Sequence, residues 1–376
     1  MNVKEFSVEK WMNTYEMEAK YNLAETCVDS LSLSKLLALS DEPDEFFRSL
    51  FDKKLTYGYI DGSPYFKEGI SKLYKDMAPE NILAMNGGIG ANFLVLYSLI
   101  KPGDHVISVW PTYQQLCSVP ESFGAEVSLL KLKPENNFLP DLDELKSLIT
   151  DKTKLICLNN PNNPTGALIE EELLMEIIEI ASSCDAYILC DEVYKGLYHN
   201  DNLTVPSIVD IYEKGISTGS MSKVFSLAGL RLGWIAAQKD IIDECCKHRD
   251  YTTISCGMLD DIIASHALKN YNKILERNLS LVKKNASILE NWVENEPFIN
   301  YIKPKAGSTA FLKYDLPVPS EKLCIDLLNN YGTFLVPGKC FDMEGWLRIG
   351  YACDTQVLKK GLSNLSEYIN KIKKTA

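Results

Sequence analysis

Ser220-Met-Ser-Lys-Val-Phe-Ser-Leu-Ala-Gly-Leu-Arg-Leu-Gly-Trp234 holds one lysine, Lys223, between small hydroxyl residues and an apolar run. Arg231 follows within Leu-Arg-Leu-Gly-Trp, otherwise apolar. A lysine amine desolvated in such a setting has its pKa lowered and becomes a nucleophile able to form a Schiff base. The plainer reading is a surface lysine beside a core strand. An arginine between leucines reads as buried, and a buried guanidinium needs an anionic partner. The stretch is entered by a strand over 216–218 and left by another over 232–237.

Upstream, apolar strands are expected over 105–110, 126–132, 154–158 and 186–190, alternating with helices over 91–100, 114–123, 141–150 and 170–183. This rhythm predicts an α/β fold with a mostly parallel, doubly wound sheet. In such sheets ligands lie beyond the carboxyl ends of the strands. Asn163, Asp191 and Lys223 each fall at, or just after, an expected strand end. Asn86-Gly-Gly-Ile-Gly90 leads from a short strand into a helix, where free N–H groups and the positive dipole end suit an anion such as phosphate. No Gly-Lys-Ser/Thr follows, so it is not a Walker loop, and a tight turn is the plainer reading.

Beyond residue 240 the chain turns helical, over 240–250, 258–269 and a long amphipathic 271–293 that leads into a second domain. There a strand over 308–314, a helix over 321–331, a strand over 333–336 and Trp346-Leu-Arg-Ile-Gly-Tyr351 precede a closing helix over 356–372. Arg348 lies in the middle of the last strand. At the other end, Phe6, Trp11, Met12 and Tyr15 mark a helix within 1–20. An extended segment over 21–27 follows, then helices over 34–39 and 44–51 separated by Asp41-Glu42-Pro43. Turn residues over 57–64 lead into a helix over 65–76 with Ser63 as its N-cap.

The net charge of −12 argues against a nucleic-acid partner and against anionic membranes. No apolar run approaches the roughly 20 residues of a membrane span. Lys4, Glu5, Glu9 and Lys10 leave no signal-peptide core near the start. Eleven cysteines without a Cys-x-x-Cys pair suggest reduced thiols in a cytoplasmic protein. Four histidines in no ligand spacing argue against a metal enzyme.

Five motifs carry a resemblance: Asn-Pro-Asn-Asn-Pro-Thr-Gly at 160–166, Asp-Glu-Val-Tyr at 191–194, Ser-Met-Ser-Lys at 220–223, Gly-Leu-Arg-Leu-Gly at 229–233 and Leu-Arg-Ile-Gly at 347–350. In this order and spacing the chain resembles the class I/II aminotransferases, fold type I pyridoxal-phosphate enzymes, from about residue 21 to its end. The resemblance implies a mostly parallel central sheet with helices on both faces and a smaller α+β domain formed by the N- and C-terminal segments. The expected division is 1–50 as a segment joining the small domain, 51–275 as the large cofactor-binding domain and 276–376 as the small domain.

It further implies pyridoxal 5′-phosphate as cofactor, joined to Lys223 as an internal aldimine, with Lys223 later moving the substrate proton. Asp191 would pair with the pyridine nitrogen, and Tyr194 and Asn163 would bond the ring oxygen. Gly87, Gly88, Ile89, Ser220 and Arg231 would bind the phosphate, and Tyr113 would stack on the ring. Tyr57 would reach the phosphate of the neighbouring subunit, which implies a homodimer with shared active sites. Arg348 would grip the substrate α-carboxylate. Members selective for dicarboxylates bring a further arginine from the neighbouring subunit; the nearest candidate, Arg249, sits in a helix.

Glu25 lies where the family lines the substrate pocket, and Asp260 and Asp261 lie near the region lining the partner's site. They suggest a cationic or polar side chain, such as an arginine-like one; the plainer reading is a solvated Glu25. The expected reaction is amino transfer from an L-amino acid to a 2-oxo acid. The rivals are a C–S β-lyase, decarboxylation or cyclisation, and a non-catalytic protein binding the cofactor for regulation. Arg231 favours transfer, because the lyase branch often lacks its counterpart.

Overall fold

The computed structural model describes residues 3–39 and 43–375. Asp41 and Glu42, expected to break a helix, lie outside the described residues. A seven-stranded sheet forms the centre, in the order Ile82–Met85, Gly233–Ala236, Gly215–Ser220, Tyr187–Asp191, Thr153–Asn159, His105–Trp110, Glu126–Lys131. Gly233–Ala236 runs antiparallel to both neighbours, and the other pairs are parallel. Strands covered on both faces read as unbroken apolar runs rather than alternating ones. His105–Trp110 and Ile82–Met85 are buried throughout. Alternate residues serve opposite cores: Ile156, Ile188 and Cys190 face one, and Leu155, Leu189 and Ile216 the other.

A second sheet, Val336–Pro337, Trp346–Gly350, Thr309–Tyr314 and Ile299–Tyr301, is antiparallel. The N-terminal segment joins this side of the molecule. Tyr21–Asn22 pairs in parallel with Thr333–Phe334, and the Gly350 amide donates to the Leu23 carbonyl at 2.8 Å. The fold matches the expected α/β class.

Several boundaries differ from expectation. The helix expected over 91–100 is Gly87–Leu99, so the glycines form its first turn. The helix expected over 65–76 is Pro64–Ser71, capped by the Ser63 hydroxyl, which accepts from the Phe66 amide at 3.1 Å. The strand expected over 333–336 is split into two short ones. All eleven cysteines are free, six of them buried. No helix among the described residues is long and apolar enough to cross a membrane.

Candidate active site

The parallel register sets Asn159 beside Asp191 and Asp191 beside Thr218, at the carboxyl ends of three adjacent strands. A cavity of about 360 Å³ opens there. Gly88, Ile89, Tyr113, Asn163, Asp191, Tyr194, Ser220, Lys223, Arg231, Arg348 and Glu25 all line it.

Lys223 Nζ donates to the Thr26 hydroxyl at 2.7 Å and to Cys27 Sγ at 3.4 Å. Burial pulls the pKa of this ammonium down, but Cys27, Tyr194 and Glu25 outweigh burial and hold it above its ordinary value. The expectation that desolvation alone would lower it is corrected by these acidic neighbours. Asp191 is 4% exposed. It accepts from Asn92 Nδ2 at 2.8 Å and from the Val193 amide at 3.2 Å. Burial nevertheless pushes its carboxyl up to about 6.

Arg348 is 3% exposed. It donates to Asn163 Oδ1 at 3.3 Å and to the Ala24 carbonyl at 2.8 Å, and its Nε has no partner. Burial lowers its pKa. Unlike a structural arginine, it makes no salt bridge among the described residues. Tyr113 packs against Phe6, with ring centroids 4.7 Å apart, and donates to Glu9 Oε1 at 2.8 Å. Tyr194 is buried, and burial raises its phenol.

Arg231 departs from its expected setting. Expected to be buried, it instead adopts a left-handed φ of 48° just ahead of the strand and is exposed, with Nη1 donating to the Ala228 carbonyl at 2.9 Å. It therefore borders the cavity without needing a buried counter-charge. Gly87 has φ 72°, and a Cβ there would sit 3.0 Å from Arg231 Nη2; one on Gly88 would sit 3.0 Å from Val193 Cγ1. The glycines thus let the helix start close to Arg231 and Ser220. Asn86, the N-cap, supplies no side-chain bond to the first-turn amides.

Other expected residues lie elsewhere. Tyr57 is 75% exposed and lines a different cavity, with Phe46, Tyr59 and Met258. Asp261 is buried and bonded to the Ser63 amide at 2.8 Å and to the Ser63 hydroxyl, so it is satisfied within the chain. Arg249 is buried and donates to the Ile60 carbonyl at 2.6 Å. Sequence reasoning missed Glu9, Glu16, Thr26, Cys27 and Asn92, which also line the site. Asn92 carried a signal: it is a lone amide in an apolar helix, and such a group needs a buried polar partner.

The site fits pyridoxal 5′-phosphate on its own chemistry. A buried carboxyl held near 6 suits a protonated ring nitrogen. A glycine-rich helix start beside Arg231 and Ser220 suits a phosphate. An amine in the same cavity suits an aldehyde.

The family profile described as Aminotransferase class I and II matches residues 34–365. A solved PLP-dependent aminotransferase from Streptococcus suis 89-1591 superposes with a TM-score of 0.96 at 48% identity, covering 99% of each chain. Capreomycidine synthase of Streptomyces vinaceus is 28% identical over 96% of this chain and 92% of its own. Aspartate aminotransferase of Pyrococcus horikoshii is 31% identical over 81% of either chain. A profile spanning most of the sequence and a near-complete superposition leave one conclusion: the chain belongs to the class I and II aminotransferases, a family of pyridoxal-phosphate-dependent enzymes.

Proposed function

We propose that this aminotransferase moves the amino group of an L-amino acid to a 2-oxo acid, with Lys223 Nζ as the base that carries the transferred proton. The observation that supports this most is the meeting of Lys223, Asp191 and Arg348 in one cavity. Pyridoxal phosphate supplies an electrophilic aldehyde and an electron sink for the substrate carbanion. Asp191 holds a proton on the ring nitrogen through its buried carboxylate. Asn163 and Tyr194 bond the ring oxygen, and Asn163 also ties that side of the site to Arg348. The first-turn amides of Gly87, Gly88 and Ile89, with Ser220 and Arg231, bind the phosphate. Tyr113 would cover the ring. Arg348 receives the α-carboxylate, giving its unpartnered Nε a bond. Lys223 Nζ would then take the Cα proton and return it to the former aldehyde carbon, two bonds from Cα. Glu25 faces the substrate side chain.

A second outcome, cyclisation or elimination from the same carbanion, is favoured by one finding: a relative covering 96% of the chain bears the name of a synthase. The test is direct. An amino donor added to the yellow holoenzyme is expected to convert it to the pyridoxamine form with one equivalent of 2-oxo acid. Ammonia with pyruvate would instead establish elimination, and a cyclic amino acid without oxo acid would establish cyclisation.

The division into 1–50, 51–275 and 276–376 belongs to the same reading. It is supported by the pairing of Tyr21–Asn22 with Thr333–Phe334. A cytoplasmic location is supported by the unpaired thiols. A homodimer with shared sites is supported by the exposed Tyr57, Tyr59 and Tyr65, which line one open cavity together. If Tyr57 reaches the partner's phosphate, Tyr57→Phe raises the cofactor dissociation constant about tenfold or more, the worth of one bond to a charged group. Equilibrium dialysis of the cofactor measures this, and an unchanged constant removes Tyr57 from the site.

A further inference from the structure

The N-terminal helix, Ser7–Tyr15, and the turn Glu16–Glu18 that follows it present one side to the cavity. Glu9, Met12, Asn13 and Glu16 recur at the spacing of one helical side and all line the site. The helix is held from two directions. The Ser7 amide donates to Gln114 Oε1 at 2.9 Å, and Trp11 Nε1 donates to the Leu335 carbonyl at 2.8 Å. Its glutamates are therefore fixed over the site rather than free to turn to solvent.

The charges around the cavity divide unevenly. Lys223, Arg231 and Arg348 are its cations, and Asp191, Glu9, Glu16 and Glu25 its anions. In the reading above, on which this inference rests, Arg231 meets the phosphate, Arg348 the substrate carboxylate and Asp191 the ring nitrogen. Three glutamates remain, of which Glu25 also acts on Lys223. Among the described residues none of them makes an ion pair. Glu9 accepts one hydrogen bond from Tyr113, and Glu16 one from Asn22 Nδ2 at 2.9 Å, which leaves acceptor capacity on each. An independent observation fixes the other end of a ligand: Arg348 is 3% exposed, lines the same cavity and has an Nε without a partner.

We propose that the site takes an α-amino acid whose side chain ends in a cation, a guanidinium above all, received by the carboxylates of Glu9, Glu16 and Glu25. A guanidinium offers five donors in a planar fork that matches carboxylates. The same wall rejects dicarboxylates, since like charges would face each other with no cation between them. The substrate is thereby read at both ends, by an arginine at the carboxylate and by glutamates at the tip.

The test uses the holoenzyme and two acids that lack the amine and so cannot react, 5-guanidinopentanoate and hexanoate, titrated by calorimetry. The guanidino acid is expected to bind at least about tenfold more tightly, the scale of one charge-assisted hydrogen bond. Glu9→Gln with Glu16→Gln, and separately Glu25→Gln, are expected to shrink that ratio, with circular dichroism melting confirming that each variant folds. In the half-reaction, arginine is expected to exceed norleucine and aspartate in kcat/KM. Equal binding of the two acids, tighter binding of glutarate, or a ratio unmoved by all three substitutions overturns the proposal. Failure of every donor to react would instead overturn the transfer reading, while the binding ratio still decides this one.

Discussion

Lys223→Ala is expected to lower the rate of the first half-reaction by about 10⁴-fold or more, because it removes a positioned general base and the amine that attacks the cofactor. The fold should survive. Lys223 spends its side chain on two contacts, to Thr26 and Cys27. Thr26 keeps an interaction with Tyr194 when the lysine is gone. Among the described residues Lys223 makes no salt bridge, so alanine strips no carboxylate of a direct partner. Melting is therefore expected within about 5 °C of the parent protein. Two measurements check this. Borohydride treatment should no longer fix the cofactor to the chain, and stopped-flow absorbance should show no conversion on the parent's timescale. A retained full rate would remove Lys223 from the chemistry and with it the proposed mechanism.

The parts of the molecule that were legible share a physical cause. Parallel strands enclosed on both faces must be largely apolar, so 105–110 and 154–158 stood out within a residue of His105–Trp110 and Thr153–Asn159. Polar residues that end such runs, Asp191 and Asn159, sit at the sheet edge by register alone. What was not legible depends on partners distant in sequence. Ile299–Tyr301 is a strand only because Thr309–Tyr314 lies against it. Arg231 looked buried because apolar residues flank it, yet a left-handed turn swings it out before the strand begins. The face of the first helix that bears Glu9 carries no signal of a site in the sequence. Only the packing of Trp11 and Ser7 onto Leu335 and Gln114 turns that face inward. Local pattern gives burial; it does not give which cavity a polar face borders.

Asp191→Asn is expected to inactivate the enzyme while stabilising the cofactor-free protein, two effects of opposite sign from one buried charge. Removing the carboxylate that holds the ring nitrogen's proton withdraws electrostatic stabilisation aimed at the developing carbanion, a loss of about 10²–10³ in kcat. Stability runs the other way. Burial raises the Asp191 carboxyl from its ordinary 3.8 to about 6, so the folded apoprotein binds this proton more tightly than the unfolded chain does. The stability contributed by the group is complete below pH 3.8 and is lost as pH rises through about 6. The difference corresponds to about 3 kcal/mol. Asparagine stays neutral throughout, so the variant should gain up to about 3 kcal/mol over the parent at pH 8 and little at pH 4. The hydrogen bonds can adapt. An asparagine oxygen still accepts from the Val193 amide, and Asn92 can turn its amide over, because the Thr218 hydroxyl that now donates to Asn92 Oδ1 at 2.6 Å can accept instead. Urea unfolding of both apoproteins at fixed protein concentration, at pH 4 and pH 8, reads the stability, and reconstituted turnover reads the activity. An apo variant less stable than the parent at pH 8 would mean that Asn92 and Val193 already compensate the charge, and Asp191 would then be a structural aspartate. A gain at pH 8 together with lost turnover would show the charge kept against the interest of the fold, for a cationic partner that only the cofactor supplies.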